Sequence, residues 1–298
     1  MNSHAISASA SMRRPSHALR WELFLYPALF ISFMLFAIPQ ASFIWMSFHR
    51  DLGLGQIKDG LTFYNYALIL TDGFYLHSFW LTVYLAAMTA ILSLLIGFPT
   101  AYMLSRMGRR WSNIFLVTIL STSLVTIVVK LLGLNIMLSS GGLINKGLLN
   151  LGMISTPMPM LHNELGVLIG LVYYTLPIVI IILFGVVQTV PTYLEEAARV
   201  HGATRAATHF FVVLPIVKLG LISAGLIAFN MSMGAFTSSV VLGGGHVRTV
   251  PVLIQQMIIF DTNYAQGAAL STILLVFVFA LNVIVGFVVM SQRRRDRT

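Results

Sequence analysis

Six long apolar runs dominate this sequence and restrict the folds that it can adopt. Each run has about 20 or more residues, the length that an α-helix needs to cross the hydrocarbon core of a bilayer. The runs cover approximately residues 23–48, 77–104, 113–134, 165–187, 215–236 and 268–290. Because a segment in lipid must satisfy its backbone groups internally, the runs predict an all-α membrane protein with six transmembrane helices.

The composition agrees with a membrane location. Hydrophobic residues make up 57% of the chain and charged residues only 9%, whereas a typical soluble domain has about 25% charged residues. The first run is longer than the apolar core of a secretory signal peptide, which has roughly 7–15 residues, so we expect it to be retained. The absence of cysteine excludes disulfides, thiol catalysis and cysteine-based metal sites.

The basic residues are clustered beside the apolar runs. The formal net charge of +9 would by itself be compatible with nucleic-acid binding. The arginines, however, precede the first run, separate the second from the third and follow the last, as in the cytoplasmic loops of membrane proteins. They are Arg13, Arg14, Arg20, Arg106, Arg109, Arg110, Arg293, Arg294, Arg295 and Arg297. We therefore expect cytoplasmic termini, contact with membrane lipid and no nucleic-acid partner.

The runs divide the chain into three parts. We expect a cytoplasmic tail at 1–20, a six-helix transmembrane domain at 21–290 and a basic cytoplasmic tail at 291–298. Segments 49–76 and 136–163 would then be external. The second of these contains an amphipathic pattern that predicts a short interfacial helix ending near Gly152. Another short helix is expected near residues 251–260, before the sixth span.

Between the fourth and fifth runs lies a polar segment with strong helix signals, residues 191–215. Thr192 and Glu195 have the spacing of a capping box, in which each side chain binds a backbone N–H at the start of a helix. Glu195 and Arg199 are four residues apart, so we expect an ion pair on one face of that helix. The pattern predicts a helix that begins near Thr192.

The same segment contains a turn and a second helix start. Gly202 adopts a left-handed backbone conformation without Cβ strain and is expected to end the first helix. Thr204 can cap a second short helix, and Pro215 suits the first turn of the next span. Such a hairpin can be a solvated connector, but its small side chains would also let another protein approach the backbone closely. They are Ala197, Ala198, Ala203, Ala206 and Ala207.

The order of residues in this segment resembles the EAA loop of ABC importer permeases. The family pattern is Glu-Ala-Ala, three residues, Gly, nine residues, Ile, any residue and Leu-Pro. Here the pattern runs from Glu196 through Gly202 to Pro215, with Val212 in place of the usual isoleucine. The resemblance implies a cytoplasmic coupling loop whose helix fits a cleft on an ATPase subunit. The implied coupling residues are Glu195, Glu196, Ala197, Ala198, Arg199, Gly202, Ala203, Leu214 and Pro215.

Three further segments resemble spermidine/putrescine-type permeases. They are residues 145–152 (NKGLLNLG), 171–177 (LVYYTLP) and 234–244 (GAFTSSVVLGG). In the last segment, Ser239 replaces a proline that is common in the family. The likeness implies the type I importer permease fold (MetI-like) in the bacterial inner membrane. The implied partners are an ABC ATPase dimer, a second, paralogous permease and an extracytoplasmic solute-binding protein.

The sequence contains no motif for nucleotide hydrolysis or zinc catalysis. It has neither a GxxxxGK[ST] phosphate loop nor an HExxH motif, so we expect no catalytic residue, metal or cofactor on this chain. His201 and His209 could form a metal pair, but a polar surface is the simpler interpretation. All nine acidic residues lie in loops or at run ends. This argues against the alternative hypothesis, an ion-coupled secondary transporter, because such proteins often use buried carboxylates. It does not exclude that hypothesis, since backbone carbonyls can also bind ions.

Several residues are candidates for the solute path. Lys130 lies within the third run, where it either extends towards the outer interface or lines a translocation path. Pro177 removes a backbone hydrogen bond and should kink the fourth span. The candidates are Lys130, Tyr173, Tyr174, Pro177, Phe236 and Thr237. The resemblance implies a small charged solute, either a polyamine or a related amine or amino-acid-like compound. The apolar runs contain aromatic rings that could bind a polycation, but they contain no carboxylate.

Overall fold

The computed structural model describes residues 18–51, 56–58 and 60–295. Apart from a short antiparallel hairpin of β1 (Arg50–Asp51) and β2 (Ile57–Lys58), the secondary structure in these ranges is helical. The helices are α1 (Ala18–Ser47), α2 (Tyr64–Thr71), α3 (Gly73–Arg106), α4 (Arg109–Leu124), α5 (Ile127–Leu138), α6 (Leu143–Asn150), α7 (Glu164–Gln188), α8 (Thr192–Val200), α9 (Arg205–Thr208), α10 (Leu214–Met233), α11 (Phe236–Gly243), α12 (Val250–Gln255) and α13 (Tyr264–Arg295). Most of the predicted tail at 1–20, and the last three residues of the tail at 291–298, lie outside the described residues.

Six stretches of the described chain are long and apolar enough to cross a membrane. They are Leu25–Ser47, Gly73–Arg106, Ile127–Asn150, Glu164–Gln188, Arg205–Met233 and Tyr264–Ser291. The prediction of a six-span, all-α membrane protein is therefore confirmed. Five of these stretches coincide with the predicted spans, with helix ends shifted by a few residues in most cases, whereas the third differs substantially.

The third apolar run is not a single helix. It is divided between α4 and α5, because Val125 and Thr126 adopt extended backbone conformations, with ψ of 134° at both residues. In the last turns of α4, the hydroxyls of Thr122 and Ser123 donate to backbone carbonyls four residues earlier, a type of bond that often bends helices. The predicted bounds of the third span were wrong, and its apolar stretch extends instead from α5 through α6.

Helices α3, α7 and α10 form the centre of the bundle. Along α3, the face towards α7 carries small side chains, which let two helix backbones approach closely without lipid between them. At Gly97, an added Cβ atom would lie only 2.9 Å from the buried side chain of Val179. Ser93 and Thr175 bridge the same two helices with a buried hydrogen bond of 2.8 Å. The small residues of this face are Ala86, Ala90, Ser93, Gly97 and Ala101.

The first and last spans pack against each other at the side of this centre. A pair of side-chain amides connects the last span to the central helices. Asn230 of α10 and Asn282 of α13 donate to each other's side-chain oxygens at 2.9 and 3.1 Å. Each amide thereby satisfies a polar group that would otherwise face apolar surroundings. The pair therefore ties the last span to the core.

The segment between the first and second spans contains more structure than expected. The strand pair β1–β2 and helix α2 fall in the segment that was treated as a loop. The buried Asn65 of α2 donates to the backbone oxygens of Ser47 at 3.0 Å and His49 at 2.7 Å, so α2 is anchored to the end of α1. Short helices are present at both predicted positions, as α6 and α12, but α6 belongs to the third apolar stretch and not to a segment outside the spans. Gly152, with φ of +67°, follows the end of α6 as predicted.

Candidate functional site

The hairpin at 191–215 begins with the helix and turn that the sequence predicts. Helix α8 ends at a Schellman motif, in which the N–H of Gly202 donates to the oxygen of Arg199 and the N–H of Ala203 to that of Ala198, both at 3.0 Å. Gly202 has φ of +86°, as this motif requires. The hydroxyl of Thr204 then accepts the N–H of Ala207 at 3.2 Å and caps α9.

The sequence predicted a short second helix in the hairpin, but this helix is long. It continues from α9 through a π-helical turn, His209–Val213, into α10, so that one helical stretch extends from Arg205 to Met233. Pro215 has no N–H to donate, and its ring would crowd the carbonyl four residues earlier. A π turn immediately before the proline shifts the hydrogen bonding to an i→i+5 pattern and keeps the helix continuous.

The predicted capping box does not form. Pro191 occupies the N-cap position of α8 without a side-chain cap, and the carboxylate of Glu195 points away from the helix start. It accepts hydrogen bonds from Tyr102 Oη at 2.6 Å and from Arg106 Nε and Nη2 at 3.0 and 2.5 Å. Tyr102 and Arg106 both belong to the last turns of α3. Glu195 is therefore a buried link between the hairpin and the second span.

The predicted ion pair between Glu195 and Arg199 is also absent. The guanidinium of Arg199 donates instead to the backbone oxygen of Glu195, at 3.3 Å. The physical reason is competition, because an exposed pair four residues apart contributes only about 0.3–0.5 kcal/mol. A two-pronged guanidinium–carboxylate contact is the stronger interaction. Glu195 therefore pairs with Arg106, 89 residues earlier in the chain.

A polar pocket of about 340 Å³ surrounds this link. Arg106 Nη2 also donates to the backbone oxygen of Val190, at 3.1 Å, and the ring of His209 packs edge-on against Tyr102. His209 is thus part of the packing around the link rather than a demonstrated partner of His201. The pocket is lined by Tyr102, Arg106, Thr192, Glu195, Glu196, Arg199, Arg205, Thr208 and His209.

Most of the other predicted coupling residues are exposed on the hairpin, and two of them, Glu196 and Arg199, also line the pocket around the link. Glu196, Ala197, Arg199, Gly202 and Pro215 are exposed. The remaining three, Ala198, Ala203 and Leu214, are half-buried. Sequence reasoning missed that large apolar side chains share this exposed surface. They are Tyr193, Val200, Phe210 and Phe211, with Val200 86% and Phe211 81% exposed. Tyr193 and Val200 stand out in the sequence as apolar residues of a polar segment, whereas Phe210 and Phe211 merge with the apolar run that follows.

The candidate path residues are only partly brought together. Lys130 of α5 and Tyr173 of α7 line one groove of about 520 Å³, together with Thr122 of α4. Tyr174 is half-buried and Pro177 is buried, and α7 continues as a helix through the proline. The last two candidates, Phe236 and Thr237, start α11 and are half-buried.

Comparison with known proteins identifies relatives that match most of the chain. The spermidine/putrescine transport system permease protein PotB of Haemophilus influenzae is 28% identical over 246 residues, covering 82% of this chain and 86% of that protein. PotB of Escherichia coli is also 28% identical, over 260 residues, covering 87% and 92% respectively. No family model matches the chain.

Solved structures show the same fold. A chain of a bacterial ABC transporter involved in the import of the acidic polysaccharide alginate superposes with a TM-score of 0.73 and 16% identity, covering 92% of this chain and 98% of the other. The methionine ABC transporter MetNI gives a TM-score of 0.54 at 17% identity, over 72% and 94% of the two chains. Taken together with the six apolar spans, these similarities show a multi-pass membrane protein with the fold of ABC importer permeases, similar in sequence to the spermidine/putrescine-type permeases.

Proposed function

We propose that this chain is one of two permease subunits in an importer that is driven by a separate ABC ATPase dimer. The solute would be delivered by an extracytoplasmic binding protein and would cross the inner membrane by alternating access. The ATPase would bind the exposed side of the hairpin at 191–215, and a paralogous permease would complete the translocation path for the solute. The sequence contains no phosphate-binding loop of its own, which supports a separate source of energy.

One observation carries this proposal, namely the two-sided construction of helix α8. Its inner side is fixed to the membrane domain through Glu195, while Glu196, Ala197 and Arg199 are exposed. Small and charged residues are therefore available to a partner on a helix whose position is set by the spans. A solvated connector would need neither the buried carboxylate nor the exposed apolar side chains of Tyr193 and Val200 on the same helix.

The groove between α5 and α7 supports a second permease on that face. Lys130 lies in the first turn of the third apolar stretch, so its ammonium group can reach either the membrane interface or a water-filled cavity between subunits. Lys130 is half-buried beside Tyr173 and Thr122 in the isolated chain. Closure of this face by a partner subunit would place the lysine along an aqueous path rather than in lipid.

A small amine or amino-acid-like compound is the proposed solute. The relatives carry the names of spermidine and putrescine transporters. In this chain, Tyr173 is exposed on the groove and can offer its ring to a cation. Because the apolar runs contribute no carboxylate, the binding protein and the partner permease would supply most of the charge recognition.

Reconstitution of the complete complex tests the proposal. We expect the chain to co-purify with the ATPase and the second permease encoded with it. In proteoliposomes, it should accumulate radiolabelled spermidine or putrescine only when ATP and the binding protein are both present. An ionophore that collapses ion gradients should leave uptake unchanged. Gradient-driven uptake by this chain alone would contradict the proposal and favour the ion-coupled alternative.

The turn at Gly202 provides a second test, with a matched pair of variants. An added Cβ atom would meet no neighbouring atom within 4 Å, so any effect arises from the positive φ. We expect Gly202→Val to misplace α8, because a β-branched residue tolerates this conformation poorly, with a cost of about 1–2 kcal/mol. Gly202→Asn should remain close to wild type, since asparagine adopts positive φ more readily. Co-purification with the ATPase and ATP-dependent uptake would measure the difference, and equal loss in both variants would contradict this explanation.

A further inference from the structure

A buried ion pair joins the hairpin to the second span. The Glu195 carboxylate of α8 accepts both Nε and Nη2 of Arg106 and the hydroxyl of Tyr102, and both donors come from the last turns of α3. The contact connects two elements that are distant in sequence and that no backbone hydrogen bond joins. We propose that this pair is a rigid strut, through which a movement of the coupling helix α8 is passed directly to α3. The inference rests on the proposed function and assigns a positioning role within it.

The geometry of the contact supports rigidity. Arg106 Nε and Nη2 both donate to Oε1 of Glu195, at 3.0 and 2.5 Å, so two charge-assisted hydrogen bonds rather than one restrain the guanidinium. The hydroxyl of Tyr102 holds the second carboxylate oxygen at 2.6 Å. Arg106 Nη2 also donates to the oxygen of Val190, just before α8. The end of α3 is therefore fixed both to α8 and to the chain that enters it.

The remaining contacts of α8 lead elsewhere. Helix α8 packs against α9 and the π turn at His209–Val213, which continue into α10. Those contacts can carry a movement along the fifth span. The second span has a different route, because α3 receives the movement at Arg106 and packs along α7 and α10 in the centre of the bundle. With the strut intact, the hairpin and the core helices would move as one body.

Stabilisation of the hairpin alone is the competing explanation for the same contact. Under that explanation, loss of the pair weakens the docking of the ATPase and lowers ATP hydrolysis and uptake together. Under the strut proposal, docking and hydrolysis persist, whereas the amount of solute moved per ATP falls. The ratio of uptake to hydrolysis therefore separates the two roles.

The first experiment measures this ratio in the reconstituted complex with radiolabelled spermidine. The variants are Glu195→Gln, which keeps the shape of the side chain, and the apolar double variant Glu195→Leu/Arg106→Met. The matched control is Arg110→Gln, since Arg110 is an exposed arginine of α4 outside the pocket. A neutral acceptor makes hydrogen bonds about half as strong as a charged one, so we expect the ratio of uptake to ATP hydrolysis to be about threefold lower in Glu195→Gln. In the double variant, which has none of these hydrogen bonds, we expect this ratio to be about tenfold lower.

The second experiment measures the movement itself. The sequence has no cysteine, so labels can be placed without removing any native residue. Spin labels on Met103→Cys of α3 and Tyr193→Cys of α8, both exposed positions, report the distance between the two helices. With the strut intact, this distance should be the same without nucleotide and with a non-hydrolysable ATP analogue. In the double variant, it should change between the two states.

Each outcome decides the question. An unchanged uptake-to-hydrolysis ratio in the assembled double variant would overturn the strut, as would a nucleotide-dependent distance when the pair is intact. Loss of ATPase binding in Glu195→Gln, with binding retained in Arg110→Gln, would also overturn it in favour of hairpin stabilisation. A wild-type complex without ATP-dependent uptake is a different result, because it contradicts the proposed function itself.

Discussion

Replacement of Arg106 by methionine should lower the free energy of unfolding by about 3 kcal/mol. Breaking a buried ion pair by removing one partner typically costs about 3–5 kcal/mol, because the other charge is left without compensation. The side chain of Glu195 is only 5% exposed and that of Arg106 is 19% exposed. The partial exposure of the arginine places our expectation at the lower end of the range. Thermal unfolding of the purified chain in detergent would measure the loss.

A second substitution at Glu195 provides the control. Replacing both members of a buried pair by apolar side chains is often close to neutral, since no charge remains to be desolvated. We therefore expect Glu195→Leu/Arg106→Met to recover most of the stability lost in Arg106→Met. Equal destabilisation in the single and double variants would show that the hydrogen bond from Arg106 to Val190, rather than the charge on Glu195, determines stability.

The positions of the spans could be predicted because they depend on local properties. Twenty or so consecutive apolar residues can satisfy the backbone in lipid only as a helix, whichever neighbours they have. The break between α4 and α5 could not be found in this way, because Val125 and Thr126 are neither glycine nor proline. Such β-branched residues are compatible with both helix and extended conformations, and tertiary packing decides between them.

The hairpin shows the same division between local and distant effects. The turn at Gly202 and the cap at Thr204 follow from single residues and their immediate neighbours, and both were predicted. The partner of Glu195 was mispredicted, because the sequence rules consider Arg199, within one helical turn, and cannot see Arg106 in another span. The apolar surface around Phe211 was missed for a similar reason, since a following span masks it in any hydropathy pattern.

The centre of the bundle has a close helix contact that can be tested with a large expected effect. At Gly97 of α3, a Cβ atom would lie 2.9 Å from Val179 Cγ1 and 3.7 Å from side-chain atoms of Ile180 and Leu183. All three neighbours are buried, so they have little space into which they can move. We expect Gly97→Leu to separate α3 from α7 and to lower the free energy of unfolding by about 3 kcal/mol or more, at the upper end of the usual cost of overpacking.

The matched control is Gly185→Leu, in α7. Gly185 is exposed and an added Cβ atom would meet nothing within 4 Å, so the same substitution adds no clash in the isolated chain. Thermal unfolding in detergent should therefore leave Gly185→Leu near wild type, while Gly97→Ala shows a small loss and Gly97→Leu a large one. Equal stability of the Gly97→Leu and Gly185→Leu chains would show that α3 and α7 are not in close contact in the folded protein.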